Sequence, residues 1–158
     1  MTLDPALAAQ FGVAGLFLWS LLAATLVPLS SEAALAAARA AEIAPPLILF
    51  VAATGGNVIG ALINWLLGAW CLRFEHKRWF PITPVQLHKA QMQFQRWGAI
   101  ALLFSWIPVI GDPLTFAAGA LRYPLARFLI AVSLGKAARY AVVLWITELV
   151  LPVFAASW

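Results

Sequence analysis

Two carboxylates stand in apolar surroundings. Glu32 closes the run PLSSE (28–32), and Asp112 lies inside SWIPVIGDPL (105–114). A charged side chain at membrane depth costs roughly 2.5–3.5 kcal/mol on insertion scales, so it is kept in a bundle interior or a wet cavity, where it pairs or carries protons. Two such acids held close together exchange or share a proton. The cations that answer them are Arg122 and Arg127, downstream of Asp112, and Lys136 and Arg139, three apart on nearly one side of the last helix. Arginine offers a planar fork to a carboxylate or a phosphate. The plainer role for Arg122 and Arg127 is snorkelling to lipid headgroups.

Other chemistries find little support. No nucleophile–base pair flanks Asp112, so the sequence predicts no enzyme. His76 and His88 have no third ligand nearby, and Cys71 is the one cysteine. No metal site, cofactor or intrachain disulfide is therefore expected.

The elements that position these residues belong in a membrane. The 158 residues are 64% hydrophobic and 10% charged, with a mean hydropathy of +0.93. Soluble domains carry about 25% charge. The length suits a single membrane domain over 1–158, with no soluble catalytic domain beside it. The formal charge of +4 sits beside apolar segments, so anionic lipid headgroups are its expected counter-charge. No basic run or stacking platform points to nucleic acid. The first ten residues carry no Lys or Arg, so the first apolar segment is expected to be retained.

Residues 11–29 form an uncharged apolar segment, and AALAAARAAEIA (33–44) reads as a short helix of small residues, tilted or re-entrant. Residues 43–72 carry no charge; they exceed one perpendicular span, with Gly55-Gly56 as the expected weak point. Along this segment Gly56, Gly60, Asn64 and Gly68 recur every four residues. Such a stripe lets another helix approach closely, within the chain or in a homo-oligomer, and Asn64 adds an interhelical hydrogen bond. Residues 73–96 are the polar stretch. Arg73, Lys77, Arg78, Lys89 and Arg96 face one acid there, Glu75, which predicts a cytoplasmic side. Thr83, Pro84 and Gln86 predict a capped helix start. Apolar segments resume at 97–121 and 128–151, the latter carrying Lys136, Arg139 and Glu148.

The chain also matches itself. Laying Pro28–Glu32 over Pro108–Asp112, an offset of 80 (112 against 32), puts Gly55 on Gly135 and Trp65 on Trp145. The prediction is an all-α polytopic membrane protein of two pseudo-repeated halves, 11–72 and 97–151, joined by 73–96. Each half holds a re-entrant helical element broken by proline, and a transmembrane helix. Pro28, Pro108 and Pro113 interrupt the helices and Gly111 permits tight approach. The two breaks would bring Glu32 and Asp112 to face each other at a polar centre. Whether the halves are inverted or parallel stays open.

The runs FQRWG (94–98), SWIPVIGDPLTFAAGALRYP (105–124) and LGKAARY (134–140), with PLSSE (28–32) and GGNVIGALINWLLG (55–68), resemble the DedA superfamily of bacterial inner-membrane proteins. This is the SNARE-associated or VTT-domain family, and the chain looks especially like its small YqaA-type branch. The resemblance implies two re-entrant elements facing each other and residence in the bacterial inner membrane. It also implies movement of lipids between leaflets, polyprenyl-phosphate recycling and phosphatidylethanolamine transport among the cases, with a proton gradient as the proposed drive. The family's essential acids map to Glu32 and Asp112, and its essential arginines to Arg122 and Arg127. The expected function is therefore a lipid transporter or flippase acting on a phospholipid or polyprenyl-phosphate headgroup, with protons as coupling ions. A small-molecule or ion transporter, and an assembly factor without transport activity, stand beside it as alternatives.

Overall fold

A computed structural model describes residues 5–25, 30–71, 73, 84–107 and 110–155. Every regular element among them is helical. Pro28, Pro108, Thr83 and the cations Lys77 and Arg78 lie outside the described residues.

Helix α1 (Pro5–Ala23) opens on a proline, whose missing N–H has no acceptor to lose in a first turn. Helix α2 (Ser31–Ala40) is capped by Ser30, whose hydroxyl accepts from the Ala33 N–H at 3.2 Å. Glu32 sits in its first turn, where the helix dipole favours a negative charge. Helix α3 (Pro46–Cys71) again starts at proline and runs unbroken through Gly55 and Gly56, correcting the weak point expected there. The reason is packing: a Cβ on Gly56 would fall 2.2 Å from the Phe17 carbonyl oxygen, so the missing side chain admits α1 rather than loosening α3.

Helix α4 (Pro84–Leu103) leads into a 3₁₀ turn at Phe104–Trp106. Helix α5 (Gly111–Ala120) follows, and Pro113 lies in its first turn. A first turn needs no N–H from that residue, so Pro113 accommodates the helix start and does not break a helix. Helix α6 (Leu125–Ala155) follows Pro124.

The chain divides into two compact units. Unit one is 1–60 with 136–158, and unit two is 61–135. Unit one packs Leu16, Leu35, Leu49 and Tyr140 around the alanines Ala38, Ala52 and Ala53. Unit two packs Leu102, Tyr123, Phe128 and Val132 with Ala61, Ala118 and Ala131. Small residues in both cores let backbones approach, the usual basis of helix association in lipid.

Among the described residues, two helices are long and apolar enough to cross a membrane, α3 over Pro46–Cys71 and α6 over Leu125–Leu151; Ala9–Ala23 of α1 is a shorter apolar run. Their exposed residues are mostly apolar, among them Leu47, Val51, Ile130 and Trp145, with Arg127 and Glu148 of α6 as charged exceptions. That is the surface lipid tails require.

Candidate functional site

The glycine stripe on α3 packs inside the chain. In unit one Gly56 and Gly60 meet α1, a Cβ on Gly60 falling 2.6 Å from the Leu21 carbonyl oxygen. In unit two Gly68 meets α5 at the Phe116 carbonyl oxygen, 2.1 Å from its would-be Cβ. Asn64, buried between them in sequence, donates from Nδ2 to Thr115 Oγ1 at 3.2 Å. Thr115 in turn donates to the Asp112 carbonyl at 2.7 Å, tying the stripe to the first turn of α5.

A polar cluster lies in unit one, formed by the start of α2 with α3 and α6. Glu32 and Arg139 form an ion pair, Oε1 to Nη2, with side chains only 24% and 20% exposed. Glu32 Oε2 also accepts from the Ser30 hydroxyl at 3.2 Å. Beside them Lys136, 3% exposed, donates from Nζ to Asn57 Oδ1, and Asn57 Nδ2 donates to the Ser20 carbonyl at 3.2 Å. Tyr140, 1% exposed, donates its hydroxyl to Ser31 Oγ at 2.8 Å. The cluster thus gathers the cations Lys136 and Arg139 and the carboxylate of Glu32 among hydroxyl and amide groups. Its ammonium, guanidinium and neutral donors are groups that can hydrogen-bond an anion.

A second ion pair ties the other end of α2 to α6. Arg39 Nε lies 2.6 Å from Glu148 Oε1, and the pair is more open, at 20% and 46% exposure.

Asp112 occupies the first turn of α5, half-buried, in unit two. Gly111 before it is buried against the Ser105 carbonyl oxygen, 2.0 Å from its would-be Cβ. Arg122 and Arg127 are exposed in the same unit. So the structure gathers Glu32, Lys136 and Arg139 in one cluster, while Asp112, Arg122 and Arg127 belong to the other unit.

Sequence reasoning passed over Ser20, Ser31, Asn57 and Tyr140. Their signal was modest but present: each is an uncharged polar side chain in an apolar helix, where it needs a partner. Asn57 is masked in the sequence by its place one residue off the glycine stripe.

α2 and α5 share local geometry. Both are ten residues long, and each has its acid at the second position. Each ends in the same cap. The Ile43 N–H bonds the Ala38 carbonyl at 3.2 Å and the Tyr123 N–H the Ala118 carbonyl at 2.9 Å. The Glu42 N–H bonds the Arg39 carbonyl at 3.1 Å and the Arg122 N–H the Gly119 carbonyl at 2.9 Å. These are Schellman motifs, in which the residue after the cap takes the left-handed conformation. Here it is Glu42 at φ 51° and Arg122 at φ 53°, the two non-glycine positive-φ residues among those described.

The VTT domain model matches residues 27–149. Inner membrane protein YqaA of Escherichia coli (strain K12) is 40% identical over 130 residues, covering 81% of this chain and 85% of that protein. YqaA of Shigella flexneri matches to the same extent. An uncharacterized protein of Haemophilus influenzae is 32% identical over 139 residues, covering 84% and 85%. No solved structure matches significantly. With Glu32, Asp112, the glycine stripe, Lys136 and Arg139 inside the matched range, the chain belongs to the VTT-domain family of DedA membrane proteins.

Proposed function

We propose that this chain is a polytopic inner-membrane transporter that passes the anionic headgroup of a phospholipid or polyprenyl phosphate between leaflets, with protons as coupling ions. The observation that carries the reading is the unit-one cluster, in which the Arg139 guanidinium pairs with the Glu32 carboxylate beside the buried Lys136. With Glu32 ionised, Arg139 is neutralised. A proton on Glu32 releases the guanidinium, and a phosphate can take the carboxylate's place between Arg139 and Lys136. Asp112, at the matching second position of α5, is the counterpart acid of unit two. Substrate is moved, not chemically converted.

The likeness of α2 and α5 supports two pseudo-repeated halves, each with a re-entrant element, joined by 73–96. The family membership and the naming of YqaA as an inner membrane protein support the location. The two ion pairs that tie both ends of α2 to α6 favour a second reading, an assembly factor whose charges only lock packing.

Headgroup movement in proteoliposomes separates the two. Wild type, Glu32→Gln and Asp112→Asn are compared with and without a pH gradient, on anionic phospholipid and on polyprenyl phosphate. A gradient-dependent rate lost in both folded variants is the expected result. Full transport in Glu32→Gln overturns the proton role, and no rate above empty liposomes favours the packing role.

A further inference from the structure

Arg122 stands where a helix end prefers glycine. A left-handed residue with a Cβ costs about 1–2 kcal/mol relative to the ordinary backbone. Such local strain is retained where the side chain has a use. The backbone around it is firmly set: Tyr123 is 2% exposed and meets Phe94 of α4 edge-on, ring centroids 5.4 Å apart. Gln95 Nε2 donates to the Arg122 carbonyl at 3.4 Å.

A cleft of about 360 Å³ opens beside this turn. His88, Gln91, Met92 and Gln95 line it from one face of α4, and Leu121 and Arg122 from the end of α5. The wall holds a guanidinium, an imidazole and two carboxamides, all of them hydrogen-bond donors, and no carboxylate among the described residues. All six residues lie within unit two. The flanking face of α4 is amphiphilic: Met92 and Trp97 are exposed, and the Arg96 guanidinium stacks 5.7 Å from the Trp97 ring centroid. That mixture of exposed aromatic, thioether and cation is suited to the headgroup level of a bilayer.

We propose that this cleft is a second anion site, separate from the unit-one cluster, which binds a phosphate group through Arg122 with His88, Gln91 and Gln95 as further donors. The guanidinium supplies the charge-assisted fork and the amides fill the remaining oxygens. The site stands independently of whether the unit-one cluster transports anything.

The test uses the full chain and reads the His88 side-chain NMR signals. One arm titrates phosphatidylglycerol into phosphatidylcholine nanodiscs holding the protein. The other titrates inorganic phosphate into protein in uncharged detergent. The expected result is a saturable His88 shift, with affinity lowered about tenfold or more in Arg122→Gly. That variant relieves the backbone strain, so lost binding is not lost folding. Arg73→Gln, an exposed arginine of the same unit that does not line the cleft, should bind as wild type does. Response in the lipid arm alone makes the ligand a membrane headgroup, and response in both makes it phosphate in general. No saturable shift in either arm overturns the proposal, as does equal binding by Arg122→Gly and wild type.

Discussion

Glu32, in the first turn of α2, pairs with Arg139 in the middle of α6, across more than a hundred residues of chain. Both side chains are largely withdrawn from the surface. Removing one member of a buried pair strands the other, at a cost of about 3–5 kcal/mol.

Arg139→Ala should therefore destabilise the protein strongly, and Glu32→Ala comparably. The double variant should fall well short of the sum, because no charge is then stranded. Chemical denaturation in detergent, run as a double-mutant cycle, gives the coupling. Coupling near zero would mean the two charges are solvated separately. Arg39→Ala with Glu148→Ala is the contrast: Glu148 is exposed, at 46%, so the coupling should be smaller and should fade as salt is raised.

Gly119 tests the packing of α3 against α5. A Cβ there would lie 1.8 Å from the Trp65 carbonyl oxygen, and backbone cannot swing aside as a side chain does. Gly119→Ala should cost at least the 1–3 kcal/mol usual for overpacking, roughly. Gly15 has nothing within 4 Å of its would-be Cβ. Gly15→Ala should hold or slightly raise the melting temperature, since alanine favours the helix by about 1 kcal/mol. Equal melting of the two variants would refute the close approach.

Glu42 tests the cap of α2. Glu42→Gly keeps the Schellman hydrogen bonds and removes the left-handed strain of a residue with a Cβ. A gain of about 1 kcal/mol in unfolding free energy is expected. A loss of that size would show that the Glu42 side chain stabilises the turn by more than its backbone costs.

Much of this protein is written locally. Composition alone assigned it to a membrane, because apolar segments with so few charges cannot be solvated otherwise. The starts of α3 and α4 follow from proline, since first-turn N–H groups need no helical partner, whereas α1 at Pro5 and α2 behind the Ser30 cap begin ahead of the segments read from 11 and 33. The stripe from Gly56 to Gly68 was legible because small side chains at helical spacing have one evident use in lipid. What the residues could not disclose was who meets whom. That Glu32 faces Arg139 and Tyr140 closes on Ser31 depends on α6 meeting α2, and that Lys136 reaches Asn57 depends on α6 meeting α3. That arrangement is fixed by long-range packing of alanine and leucine faces, which are nearly interchangeable in sequence. Likewise Gly55-Gly56 reads as a flexible point in isolation. Only the approach of the α1 backbone makes it a tight contact, because a missing Cβ loosens a lone helix and admits a neighbour in a packed one.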